Sequence, residues 1–277
     1  MTDRRNDVLR RELAGEDPAT FVTHEGQFHQ VVVGARRVVC FARTDSAAAR
    51  LPERVEVLRV VDGLGLGVAV PQPVSAAGSG YAVFTRVPGE PIDVERVGDP
   101  SVADAMAADL APLLHALAAA GATSKASALP GAPAGRWSGF ARDVRRALYP
   151  LMSEAGRARA DAELAQVVGV SFAATSVVHG DLGGENLLWE WNDGAPHLVG
   201  VVDWDGVARG DQAEDLAALA AGYGDGLLDR LLQRLEAPDD VRGRIAAIRG
   251  TFALQQALSA AQDGDQEELD DGLAGYC

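Results

Sequence analysis

His179-Gly-Asp-Leu-Gly-Gly-Glu-Asn186, succeeded by an apolar hairpin and then Val202-Asp-Trp-Asp205, is the stretch on which this chain's fold turns. Alone, His-Gly-Asp reads as a turn whose Asp side chain bonds nearby backbone. The residues downstream change the odds. Asn186-Leu-Leu-Trp-Glu-Trp191 has strand composition, Asn192-Asp-Gly194 is a tight-turn sequence, and His197-Leu-Val-Gly-Val-Val202 returns as a second strand that ends at Asp203. An Asp, an Asn five residues on and a second Asp delivered by a hairpin rarely coincide without a site.

Phosphoryl transfer needs a carboxylate to orient the attacking hydroxyl and take its proton, and oxygen ligands to hold magnesium on the nucleotide phosphates. Asp181 fits the first task, and Asn186 and Asp203 fit the second. The Asp181 to Asn186 spacing is that of the protein-kinase catalytic loop, and Asp203 sits where the Asp of Asp-Phe-Gly would, with Trp204 in place of Phe. His179 is read as a brace for the loop. In Gly210-Asp-Gln-Ala-Glu-Asp-Leu, Asp215 or Asp211 is expected to cap a helix, Asp215 being preferred.

Upstream, Val8 to Ala14 predicts a helix and Val31 to Ala42, broken by Gly34, a hairpin. Ala47 to Val60 predicts a helix, ended by Gly63, Gly65 and Gly67, and Tyr81-Ala-Val-Phe-Thr85 a strand. Val87-Pro-Gly-Glu-Pro91 continues neither, so a boundary is placed at residue 88, with one lobe over 1–88 and another over 89–277. The second lobe reads as helices over 102–120, 139–154, 157–168, 215–221, 227–235, 241–263 and 266–273 around the catalytic hairpin. The N-terminus is too charged for a signal peptide, and no apolar run approaches the roughly 20 residues of a membrane span, which predicts a cytoplasmic protein. Cys40 and Cys277 are the two cysteines, expected as free thiols.

Charge is unevenly spread. Residues 1–88 carry 11 Arg against 10 Asp and Glu, whereas 89–277 carry 14 Lys and Arg against 30 Asp and Glu, a net −16. Such a surface repels nucleic acid and anionic membrane and attracts a cationic ligand, although acidity also serves solubility alone.

His179-Gly-Asp-Leu-Gly-Gly-Glu-Asn186, Val202-Asp-Trp-Asp205 and Gly210-Asp-Gln-Ala-Glu-Asp-Leu resemble the aminoglycoside and macrolide phosphotransferase family. With His24-Glu-Gly-Gln-Phe-His29, Arg37 to Thr44 and Arg249 to Leu258 added, the resemblance narrows to the viomycin and capreomycin, or tuberactinomycin, phosphotransferases, from about His24 to the C-terminus. It implies an α+β, protein-kinase-like, two-lobed fold. It also implies ATP, with GTP the alternative, Mg2+, and a basic cyclic peptide antibiotic phosphorylated on a serine hydroxyl.

The resemblance places a phosphate loop at Gly26 and a purine-contacting hinge at Thr85, Arg86 and Val87. Glu185, Asp205 and Asp211 are candidate contacts to a cationic acceptor, each weighed against simple surface charge. One departure stands out: kinases carry a Lys on the third strand, and here Cys40 takes that place while the one lysine is Lys125. Arg43, with Glu53 or Glu56 as partner, is the expected substitute. The other readings are an aminoglycoside or macrolide acceptor on the same fold, and a pseudokinase that binds without transferring phosphate.

Overall fold

The computed structural model describes residues 2–26, 29–75, 80–133 and 135–277. The β-branched run on either side of Gly34 forms the predicted hairpin, which lies in the middle of a four-stranded antiparallel sheet. Helix α1 (Thr2–Glu12) precedes strands β1 (Val22–Glu25), β2 (His29–Val33) and β3 (Arg37–Ala42); α2 (Asp45–Asp62) then crosses to β4 (Tyr81–Thr85). The strand order is β1-β2-β3-β4, with Val31 opposite Cys40 and Cys40 opposite Ala82. β1 was not foreseen, because its Val-Thr-His-Glu is exposed throughout and carries no apolar alternation.

The sheet sorts its side chains by strand alternation. Cys40 faces α2 and packs in a core with Leu51 and Val55, whereas Val39 and Phe41 face α1 and pack with Val8 and Leu13. Thr44 caps α2, its Oγ1 accepting from Ala47 N at 3.1 Å.

The rest of the chain is mainly helical: α3 (Val94–Val97), α4 (Pro100–Gly121), α5 (Arg136–Ala147) and α6 (Glu154–Gly169), then α7 (Ala213–Tyr223), α8 (Asp225–Arg234), α9 (Val241–Arg249), α10 (Phe252–Asp263) and α11 (Gln266–Leu273). Between α6 and α7 lie two small antiparallel pairs, β5 (Ser176–Val178) with β8 (Ala208–Gly210), and β6 (Leu187–Asn192) with β7 (Ala195–Val201). The β6–β7 turn uses left-handed Asp193 and Gly194, as the Asn-Asp-Gly sequence predicts. Residues 241–263, expected as one helix, are two. The chain breaks at Gly250 and buried Thr251, whose hydroxyl donates to Ile248 O at 2.7 Å and accepts from Gln255 Nε2 at 2.8 Å.

Helix α4, with 22 residues, is long and apolar enough to span a bilayer by length and composition, contrary to the expectation that no such run exists. Met106, Leu110, Leu114 and Leu117 on it are buried against the surrounding helices and strands. Two connections pair with the β6–β7 hairpin, the one between α2 and β4 at Ala69 and the one between β4 and α3 at Glu90. Ala69 exchanges backbone hydrogen bonds with Val199 and Val201 at 2.9 Å, and Glu90 exchanges two with Trp189 at 3.0 and 2.9 Å. Cys40 is a buried free thiol and Cys277 an exposed one.

Asp215, expected as a cap, does something else. Asp211 is the residue that accepts from the helix start, at Ala213 N (2.9 Å). The Asp215 carboxylate, in the first turn of α7, accepts from His179 N at 2.9 Å and Gly180 N at 3.0 Å, tying the helix to the turn before Asp181. Burial is the main cause that pushes its pKa up to about 7, against the pull of these two amides. Between the ordinary carboxyl range and about 7 the folded protein therefore keeps a proton that the unfolded chain has released. The resulting stabilisation is complete at low pH and lost as pH rises through about 7. Replacing Asp215 by Asn is expected to destabilise the fold by about 1–3 kcal/mol near pH 6. The gap to wild type should narrow toward pH 8; thermal melts in which it widens would contradict this account.

Candidate active site

Gly180 makes the catalytic turn sterically feasible. Its φ is +86°, and a Cβ there would meet Gly206 O at 2.4 Å, so the turn and the Trp204–Gly206 segment approach more closely than a side chain permits. His179 is fully buried in this contact. Its Nε2 donates to Val202 O at 2.9 Å, its Nδ1 accepts from Asp181 N at 3.3 Å, and its ring lies 4.5 Å from that of Trp204. Desolvation lowers its pKa, so it serves as a neutral brace. Trp204 is buried beside it and donates from Nε1 to Val201 O at 3.0 Å.

Asp181, Asn186 and Asp203 come together because of the β6–β7 hairpin. Asn186 directly precedes β6, Val202 follows β7, and Val202 N donates to Asn186 O at 3.0 Å, so the hairpin base holds the Asn beside the Asp. Asn186 Nδ2 donates to Asp181 O at 2.8 Å and to Asp181 Oδ2 at 3.2 Å. With both amide hydrogens engaged, the side-chain oxygen of Asn186 is the atom left for a cation. Asp203 adopts left-handed φ 59°, ψ 61°, a region Asp tolerates better than most residues. One amide oxygen and one carboxylate are hard donors of the kind magnesium takes when phosphates and water complete its shell, so the residues fit that ion.

The partner expected for Arg43 is not the one found. Arg43 lies just past the end of β3, and its Nη1 donates to Gly26 O at 2.7 Å while lying 3.6 Å from Glu25. Glu56 pairs with Arg59 instead of Arg43. The guanidinium beside the metal-type carboxylate belongs to Arg54 on α2. Its Nε lies 2.7 Å from Asp205 Oδ1, its Nη2 3.6 Å from Asp203 Oδ1 and its Nη1 3.7 Å from Cys40 Sγ. A sequence signal existed: Arg54 stands three residues after Leu51 and four before Leu58, on the flank of the buried stripe, where a charge needs a partner.

One acceptor contact also needs correction. Asp205 is exposed and paired with Arg54. Asp211 is buried, accepting from Ala173 N at 2.8 Å and pairing with Arg244 at 3.1 Å, so it presents no surface to a ligand. Glu185, in contrast, lines an open cavity of about 470 Å³ with Asp181, Glu214, Trp137 and Phe252. Glu214, Trp137 and Phe252 went unnoticed in sequence because three separate helices supply them. Gly26 lies where β1 turns toward β2, its N–H donating to His29 O at 2.9 Å; Gln27 and Phe28 of the expected phosphate loop fall outside the described residues. In the hinge, Thr85 N donates to Gln72 O and Arg86 N to Arg36 O, both at 2.9 Å, and Val87 is buried against Gly200.

Known proteins share this chain's sequence pattern and its fold. A model described as the phosphotransferase enzyme family matches residues 14–248. The chain is 52% identical over 284 residues to the viomycin phosphotransferase of Streptomyces vinaceus, which covers 100% of this chain and 99% of that protein. Among solved structures, the GDP and kanamycin complex of an APH(2″) enzyme aligns with TM-score 0.83 at 18% identity, over 98% of this chain and 96% of that one. Macrolide 2′-phosphotransferase type I aligns with TM-score 0.73 at 20% identity, over 100% and 96%. At such identities the two structures speak for the kinase-like fold alone. The family match, whose span includes Asp181, Asn186 and Asp203, together with the full-length relative, places the chain in the phosphotransferase enzyme family.

Proposed function

We propose that the protein transfers the γ-phosphate of a nucleoside triphosphate, ATP with GTP the alternative, to the serine hydroxyl of a basic cyclic peptide antibiotic such as viomycin or capreomycin. The observation that carries this is the position of Asp181, which touches Asn186 on one side and lines the cavity holding Glu185 and Glu214 on the other. A proton acceptor between a cation-binding pair and an aromatic-walled cavity that exposes Glu185 suits a cationic acceptor alcohol. The likeness to a viomycin phosphotransferase points the same way.

In this mechanism the acceptor hydroxyl bonds to Asp181 Oδ1, the oxygen that Asn186 leaves over, and releases its proton there as the oxygen attacks phosphorus. Asn186 and Asp203 are the proposed holders of Mg2+, which when bound neutralises charge on the β- and γ-phosphates. Residues 1–88 form the proposed nucleotide lobe, with the Gly26 turn at the phosphates and the hinge at the purine. Since the Thr85 and Arg86 amides are committed elsewhere, Val87 is the proposed purine contact. Residues 89–277 form the catalytic lobe, in which Glu185 meets the acceptor's cationic groups while Glu214 is paired with Arg136 at the cavity wall. Positioning supplies most of the rate. The proposed setting is the cytosol.

Replacing Asp181 by Asn should lower kcat about 10²- to 10⁴-fold while leaving nucleotide affinity within about twofold; near-normal turnover in a radiolabelled phosphate-transfer assay would refute the base assignment. Glu185→Gln should raise KM for the cationic antibiotic about two- to fivefold, with the effect shrinking as salt is added. An unchanged KM at low salt would remove Glu185 from the acceptor site. A substrate panel of tuberactinomycins, aminoglycosides and macrolides decides the acceptor class.

A further inference from the structure

Given the phosphotransferase reading, one charge remains to be placed. Kinases neutralise the nucleotide phosphates with a strand Lys held by a Glu from the next helix. Here the strand position is Cys40, whose thiol burial keeps neutral, and Lys125 is occupied with Gly63 O. Facing Cys40 from the helix is Arg54, with Nη1 3.7 Å from Sγ. The two members of the pair have thus changed places: the strand contributes no charge, the helix contributes the cation, and a loop carboxylate, Asp205, holds it from the far side at 2.7 Å.

We propose that Arg54, delivered from α2 and aimed by Asp205, is the phosphate-binding cation of this enzyme. Its donors are free for that work. Nε is satisfied by Asp205, but Nη1 meets only a weak sulfur acceptor and Nη2 stands 3.6 Å from Asp203, beyond a good hydrogen bond. Both therefore keep donor capacity to spare, Nη2 on the side of Asp203 and Nη1 on the side of Cys40, and a planar guanidinium fork matches two phosphate oxygens. A second observation at the same place also points to a polar ligand. Arg54 and Asp205 line a cavity of about 380 Å³ with Arg50 and His29, and His29 Nε2 is buried with no hydrogen-bond partner among the described residues. Such an atom is costly unless something polar meets it.

The test separates phosphate recognition from base recognition and from turnover. Binding of ADP and adenosine, and of GDP and guanosine, is measured by calorimetry with magnesium for wild type, Arg54→Met and the double variant Cys40→Lys/Arg54→Glu, with a thermal melt of each. Arg54→Met is expected to weaken diphosphate binding about 10- to 100-fold and nucleoside binding less than about twofold. The double variant, which restores a strand Lys and a helix Glu, is expected to regain about tenfold of that loss. Equal losses for diphosphate and nucleoside, or diphosphate binding unchanged in Arg54→Met, overturn the proposal. If Arg54→Met does not fold, Arg54→Lys serves with the same ratio as readout: a diphosphate-selective loss supports the proposal, and an equal loss overturns it. A wild type that binds no nucleotide overturns the phosphotransferase reading itself, whereas a fully active Arg54→Met overturns only the assignment of Arg54.

Discussion

A carboxylate sealed away from water holds the reacting loop in place. Asp215 receives two consecutive backbone amides, from His179 and Gly180, and so fixes the direction in which the chain enters Asp181. Without it those donors would be unpaired, a cost the fold cannot spread elsewhere. His179 extends the same bracing to Val202, and Gly180 lets the Trp204–Gly206 segment close against the turn. Asp181 and Asp203 stay exposed at the surface of a dry, hydrogen-bonded platform that includes the buried Asn186. Rigidity below and access above is what a positioning enzyme requires.

The catalytic loop was legible in the sequence because its information is local. Asp181 and Asn186 are five residues apart, and an Asp-Gly turn closes the hairpin that returns Asp203, so the constellation needed no knowledge of distant packing. The hairpin of β2 and β3, α2, β4 and the long α4 were legible for the same reason. The break at Gly250 was not, because Thr251 ends one helix through a buried hydroxyl bond that apolar periodicity does not reveal. The acceptor cavity was only partly legible. Glu185 lies in the motif, but Glu214, Trp137 and Phe252 converge through tertiary packing alone.

The cations near Cys40 are the most instructive case. Arg43 is near Cys40 in sequence, yet it lies past the strand end and turns to Gly26 and Glu25. Arg54 is 14 residues away and touches the same sulfur, because α2 packs its buried stripe on the face that Cys40 shares. Asp211 and Asp215 show a related ambiguity. Both read as surface carboxylates at a helix start, and both turned out to be buried joints, since sequence gives no measure of how much chain folds back over a helix end.

The β6–β7 hairpin has a mechanical consequence. Its open end carries Asn186 and Asp203, while its flanks are clasped at Ala69, between α2 and β4, and at Glu90, between β4 and α3. A displacement of the sheet relative to the helices would therefore be carried by these backbone hydrogen bonds to the ribbon that ends in Asn186 and Asp203. One hinge pin thus serves both the joint between the two parts and the aim of those two side chains.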